Sequence, residues 1–114
     1  MLIGTMVRFD SVDTIESKFQ NLVKNGFKAC QLNTWNQELR TDENAELIKS
    51  LVKKYDVVIS AVWVGWSGPA VWDFYDGQIT LGLVPAEYRQ MRIENLINLF
   101  IGVVLFIIIK KIDY

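Results

Sequence analysis

The feature that most constrains this chain is a repeat of pattern. Apolar strand-like runs begin near residues 2, 29 and 57, a period of about 28 residues, and an amphipathic stretch separates each run from the next. That period suits βαβ units with short connections, and strands joined through a helix run parallel. Leu2 to Phe9 is mainly apolar, and Asp13 with Glu16 three residues on reads as a capping box opening a helix. Ile15, Phe19, Leu22 and Val23 then form one stripe, and Gly26 is placed as the stop. Phe27 to Trp35 is a second strand-like run, followed by a polar loop, Asn36 to Asn44. A second helix follows, with Leu47, Ile48, Leu51, Val52 and Tyr55 on its apolar face.

Val57 to Val64 reads VVISAVWV, too continuously apolar for a sheet with one wet face, and it is expected to be covered on both sides. Right-handed crossovers put both helices on one side if the sheet curls into a barrel, and on opposite sides if it is an open doubly wound sheet. The pattern of residues leaves both forms open. It does argue against a dinucleotide site, because DSVDT follows the first strand without the spaced glycines that close approach to a pyrophosphate requires.

From Ser67 to Val84 the chain carries a long stretch with no helical period, yet Trp72, Phe74, Tyr75, Ile79, Leu81 and Leu83 make it too apolar for disorder. Asp76-Gly77 is a turn signal that would fold it back as a small hairpin lid. Pro85 suits the first turn of a third helix, with Met91, Ile93, Leu96, Ile97 and Phe100 inward. Trp63, Trp66 and Trp72 fall within one short segment where the third strand runs out into this loop. Rigid aromatic faces at a strand end, in the polar company of Ser67, Asp73, Tyr75, Asp76 and Gln78, point to a binding surface.

Composition removes several functions. Twelve basic residues against thirteen acidic ones, with no dense basic run, exclude a nucleic-acid partner. With no histidine anywhere in the sequence, Ser-His, Cys-His and histidine-zinc sites cannot form within this chain. The single cysteine, Cys30, reads as a small buried side chain in a reducing compartment. The first residues, MLIGTMVRFD, lack the pattern of a secretory signal, so a cytoplasmic protein is expected.

The stretches FKACQLNTWNQELRTDENAELIKSLVKKY and ISAVWVGWSGPAVWDFYDGQITLGLVPAEYRQMRIENL resemble the N-terminal part of the sugar phosphate isomerase/epimerase group, the xylose isomerase-like TIM barrels. The resemblance runs over about residues 2 to 98 and rests on the whole pattern of strand, helix and Trp-rich third loop. It implies an α/β fold of three consecutive parallel βα units, or four, forming the first part of a (β/α)8 barrel, truncated. It also implies a site at the C-terminal ends of the strands, where Arg8, Asn33, Trp35, Trp63, Trp66 and Trp72 would bind a sugar or sugar phosphate. In that group a divalent metal (Mn, Mg, Co or Zn) is held by glutamate, aspartate and histidine side chains from later strands. Those strands are missing here, so the resemblance implies no catalytic residue and no bound metal for this chain alone. What would survive is one wall of a sugar pocket, with aromatic faces for the ring and Arg8, Asn33 or Asp73 for hydroxyls or a phosphate.

The sequence divides into the partial barrel, residues 1–98, and a divergent apolar tail, residues 99–114. LFIGVVLFIII, Leu99 to Ile109, is too short to cross a bilayer. Three readings stay open for it: a buried fourth strand at Val103 to Ile109, a replacement tail from a frameshift or premature stop, and a short membrane-seeking helix ended by Lys110 and Lys111. An open partial barrel exposes apolar faces and strand edges, so self-association is expected. The alternative function is a non-catalytic, self-associating or membrane-attached small α/β protein.

Overall fold

A computed structural model describes residues 1–98. The readings of the tail, and the inward position given to Phe100, lie outside the described residues. The elements are strand β1 (Gly4–Arg8), helix α1 (Val12–Lys24), strand β2 (Ala29–Thr34), a 3-10 turn (Gln37–Leu39), helix α2 (Asp42–Tyr55), strand β3 (Val58–Val64) and a single helical turn α3 (Gly77–Thr80). Among the described residues a further helix, α4, covers 86–98. The strands form one parallel sheet in the order β1-β2-β3.

Helix α1 opens on Ser11, whose hydroxyl accepts from the Asp13 backbone N–H, and not on the Asp13–Glu16 box expected from sequence. The reason is chemical competition: Ser11 lies one residue before the helix and reaches an orphan N–H first. Glu16 points to the second helix instead. Lys54 Nζ donates to Glu16 Oε1 at 2.6 Å, the Tyr55 hydroxyl donates to the same oxygen at 2.8 Å, and these two contacts, Lys54 first, hold the Glu16 carboxyl below its usual range. At the other end of α1, Gly26 adopts φ +81°, the left-handed conformation that ends a helix at little cost only in glycine. Thr41 caps α2, its hydroxyl accepting from the Asn44 N–H, so this helix begins inside the segment read as a polar loop.

Both helices lie on the same face of the sheet, as in a barrel. The core consists of Val7, Phe9, Cys30, Leu32 and Val57 from the strands and their flanks, with Ile15, Phe19 and Leu22 from α1 and Ile48 and Leu51 from α2. Ile15, Phe19, Leu22, Ile48 and Leu51 belong to the stripes predicted for the two helices, whose other members, Val23, Leu47, Val52 and Tyr55, are partly buried against this core. Phe19 is fully buried and stacks obliquely on Tyr55, ring centroids 6.4 Å apart.

The expectation that β3 is covered on both faces is not met among the described residues: Val58 is 51% exposed and Trp63 44%. Three strands make one wall, and among residues 1–98 the inner-facing Val58, Ala61 and Trp63 of β3 stay exposed, although Asn33 of β2 is covered. The wall also has an irregularity. Cys30 pairs with Ile59 but Gln31 pairs with Ala61, so Ser60 bulges out of register, and its hydroxyl donates to the Cys30 carbonyl at 3.1 Å. Because side chains alternate from face to face, this extra residue moves Trp63 from the helix side to the inner side of the sheet.

Cys30 is 1% exposed, and burial pushes its thiol up to about 11. Alkylation by iodoacetamide at neutral pH is therefore expected to be negligible in the folded protein and complete in denaturant. Rapid stoichiometric labelling of the native chain would contradict this placement.

Candidate functional site

The C-terminal ends of the three strands gather the residues singled out from sequence. Arg8, Asn33 and Trp63 are partners in register across β1, β2 and β3, so they stand side by side on the inner face. Arg8 is exposed, while Asn33 is 3% exposed and its amide donates to Met6 Sδ at 3.5 Å. Trp35, Trp66 and Trp72 form a second group. Their ring centroids lie 5.6 Å apart for Trp35 and Trp66 and 6.4 Å apart for each of the other two pairs. Trp72 is exposed at 64%, whereas Trp35 and Trp66 are half-buried. Among the described residues Trp63 makes no ring contact with this trio and belongs to the polar row instead.

Two backbone constraints bring the indoles together. Gly65 directly follows β3, and a Cβ there would fall inside the Trp35 ring, so only glycine lets the two strand ends approach this closely. Arg40 Nη2 then donates to Gly65 O at 2.7 Å, Thr34 O at 3.0 Å and Trp35 O at 3.4 Å, tying the ends of β2 and β3. Burial draws this guanidinium below its ordinary pKa. Among the described residues four buried polar atoms at these strand ends have no protein hydrogen-bond partner: Asn33 Oδ1, Thr34 Oγ1, Arg40 Nε and Trp66 Nε1. Such groups are costly in a fold's interior and concentrate where function tolerates the cost.

The loop is not a hairpin lid. Asp73 Oδ1 accepts from the Tyr75 and Asp76 backbone N–H groups at 2.9 and 2.7 Å, and Asp76 leads into α3 rather than a two-residue turn. Thr80 closes the turn, its hydroxyl accepting from Val71 N–H at 3.0 Å and donating to Asp76 O at 2.8 Å. An aspartate followed by helix-compatible residues satisfied local donors before a strand could pair. Asp73 is therefore engaged as a turn former.

Helix α4 also differs from expectation. Pro85 immediately precedes it, but Met91 and Ile97 are exposed and Ile93 and Leu96 only half-buried. The fully buried side chain is Arg92, whose Nε donates to Ser67 O at 3.1 Å, Nη1 to Gly82 O at 2.6 Å and Nη2 to Pro69 O at 2.8 Å. Three residues on, Asn95 Oδ1 accepts from Ser67 N at 3.2 Å, Ser67 Oγ at 2.8 Å and Gln37 Nε2 at 2.5 Å. Gln37 Nε2 also contacts Ser67 Oγ. Arg92, Asn95, Arg40 and Gln37 escaped the sequence reading. The available signal was a pair of polar residues three apart within an otherwise apolar helix face.

The described residues do not fit a divalent metal. The strand-end positions offer a guanidinium, a primary amide and indoles, which contain no anionic oxygen or imidazole nitrogen, and no three His, Cys, Asp or Glu side chains converge among the described residues. An open depression of about 310 Å³ does lie on the sheet, but it is lined by residues such as Gly4, Ala29 and Val58 at the opposite, N-terminal ends of the strands. Among the described residues no helix is long and apolar enough to cross a membrane.

A parallel sheet with alternating helices on one face and its polar and aromatic groups at the C-terminal strand ends defines the beginning of a barrel of the TIM class. The crystal structure of a xylose isomerase domain protein from Planctomyces limnophilus is similar to it, with a TM-score of 0.67 at 18% identity over 89% of this chain. The fold is thus that of the start of a xylose isomerase-like TIM barrel. This chain covers 36% of the length of that protein. No family model and no curated protein matches the sequence.

Proposed function

We propose that this chain supplies a carbohydrate-recognising wall of a sugar isomerase/epimerase-like barrel, and that alone it binds a sugar or sugar phosphate without transforming it. The observation that carries this reading is the placement of Arg8, Asn33 and Trp63 in one row at the strand ends that also carry the Trp35–Trp66–Trp72 group, with Asn33 Oδ1 and Trp66 Nε1 unmatched among the described residues. Support also comes from the likeness to a protein described as a xylose isomerase domain protein.

In this reading Trp63 and Trp72, the exposed indoles, lie against the C–H face of a sugar ring. Arg8 meets a phosphate or a hydroxyl with a charged donor, and Asn33, whose Oδ1 is closed to solvent, stands between Arg8 and Trp63 in the same row and would meet a hydroxyl only where that row opens. The proton transfers of an isomerase need a base, and none stands in the row, so in this reading the row recognises a sugar without supplying the chemistry. The divalent metal of the xylose isomerase-like group would likewise find no carboxylate in this row to hold it. The exposed inner face of the sheet makes association with further copies part of the same reading. A cytoplasmic location suits the single buried, free cysteine.

Titration with xylose, fructose and fructose 6-phosphate, followed by calorimetry, is expected to give dissociation constants of about 1 mM, or about −4 kcal/mol. Incubation with the same sugars and manganese, magnesium or cobalt is expected to give no isomer or epimer. Turnover would overturn the non-catalytic half of the proposal, and absence of binding the other half.

A further inference from the structure

The geometry points to Arg92 as the positioning residue of the aromatic wall. It touches no solvent and cannot meet a ligand, yet it reaches both the loop after β3 and Trp66. Its three hydrogen bonds go to the carbonyls of Ser67, Pro69 and Gly82, two stretches of irregular backbone well separated along the loop. Its guanidinium carbon lies 5.5 Å from the Trp66 ring centroid and 4.9 Å from that of Tyr88, one turn back on α4.

A buried cation is costly, and among the described residues the acceptors of this one are neutral carbonyls. A methionine would fill the same space, but it could not satisfy three carbonyls that lack regular secondary structure. Arginine suits the position because its donors diverge in one rigid plane, while its flat faces stay free to stack on rings. Lysine, a single rotating point charge, can do neither together.

The consequence runs outward from α4. Arg92 fixes Trp66, Trp66 contacts Trp35 and Trp72, and the loop carrying Trp72 is held at Ser67, Pro69 and Gly82 by the same guanidinium. Asn95 strengthens the hold at Ser67 from the same helix face. The tilt of Trp72, one of the two sugar-facing indoles, is thus set from a helix on which no sugar-facing residue stands. The consequence for ligand affinity rests on the carbohydrate reading above, whereas the positioning itself does not.

The test uses the full chain with 15N-labelled tryptophan, which gives one indole signal for each of its four tryptophans, and 13C-labelled methyls of Leu22 and Leu51 as core references. In Arg92→Lys the Trp66 and Trp72 indole signals are expected to move while the Leu22 and Leu51 methyls keep their positions. Affinity for fructose 6-phosphate is expected to fall about tenfold. Tyr88→Leu keeps all three hydrogen bonds and removes one stacked ring, so it should move the Trp66 signal in the same direction by less. If Arg92→Lys does not fold, the Tyr88→Leu spectrum decides by the same signals. Trp66 and Trp72 signals unchanged in the folded variants would overturn the positioning role. Wild-type protein that binds no fructose 6-phosphate would instead count against the carbohydrate reading, and the indole shifts would still decide the role of Arg92.

Discussion

Phe19→Ala is expected to destabilise the protein by about 3–5 kcal/mol, the range for removing a buried aromatic ring from a packed core. Phe19 is 0% exposed and lies in the cluster that joins α1, α2 and the sheet, with Tyr55 of α2 against its ring. A small domain has only about 5–15 kcal/mol of stability in total, so the variant should sit close to unfolding at room temperature. Urea denaturation followed by far-ultraviolet circular dichroism gives the difference. A loss below about 1 kcal/mol would mean that Phe19 does not fill a packed core between the helices and the sheet as described.

Gly65→Ala is expected to cost about 3 kcal/mol, the upper end for forcing added volume into a packed site. The new methyl would occupy the position of the Trp35 ring, whose neighbours leave it little room: Trp66 on one contact, Trp72 on another, and the Arg40 bridge holding both strand ends. Alanine would slightly restrict the unfolded chain, a gain of at most about 1 kcal/mol that the clash exceeds. Because Trp35 must leave the trio, the near-ultraviolet circular dichroism of the stacked indoles should weaken along with stability. A variant as stable as the parent, with an unchanged spectrum, would show that Gly65 and Trp35 do not approach as described.

Much of the fold was legible because it follows from periodicity. The stripe of Ile15, Phe19 and Leu22, the stop at Gly26 and the spacing of the three strands all express local rules that tertiary packing did not contradict. The errors arose where local polar chemistry decided the outcome. Ser11 and Thr41 captured helix N–H groups ahead of the expected positions, and Asp73 with Thr80 folded the loop into a helical turn in place of a hairpin.

The candidate site was legible as a list of residues and not as an arrangement. Period two counted from Ile59 places Trp63 on the helix side, and only the bulge at Ser60 returns it to the inner row with Arg8 and Asn33. Arg92 was hidden for another reason. Pattern reading assigns a helix's apolar residues to its inner face, whereas here α4 packs on an irregular loop whose carbonyls need donors. A buried arginine answers that need, and hydrophobic periodicity is blind to it.

The central claim is that the exposed indoles at the strand ends form the sugar-facing wall. It is tested most directly by comparing calorimetric affinity for fructose 6-phosphate in the wild-type chain and in the double variant Trp63→Ala/Trp72→Ala. Trp63 is 44% exposed and Trp72 64%, so their removal should leave the urea midpoint close to the parent value. The predicted result is a loss of at least about tenfold in affinity, or 1.4 kcal/mol, in a protein that remains folded. Equal affinity in the two proteins would contradict the account.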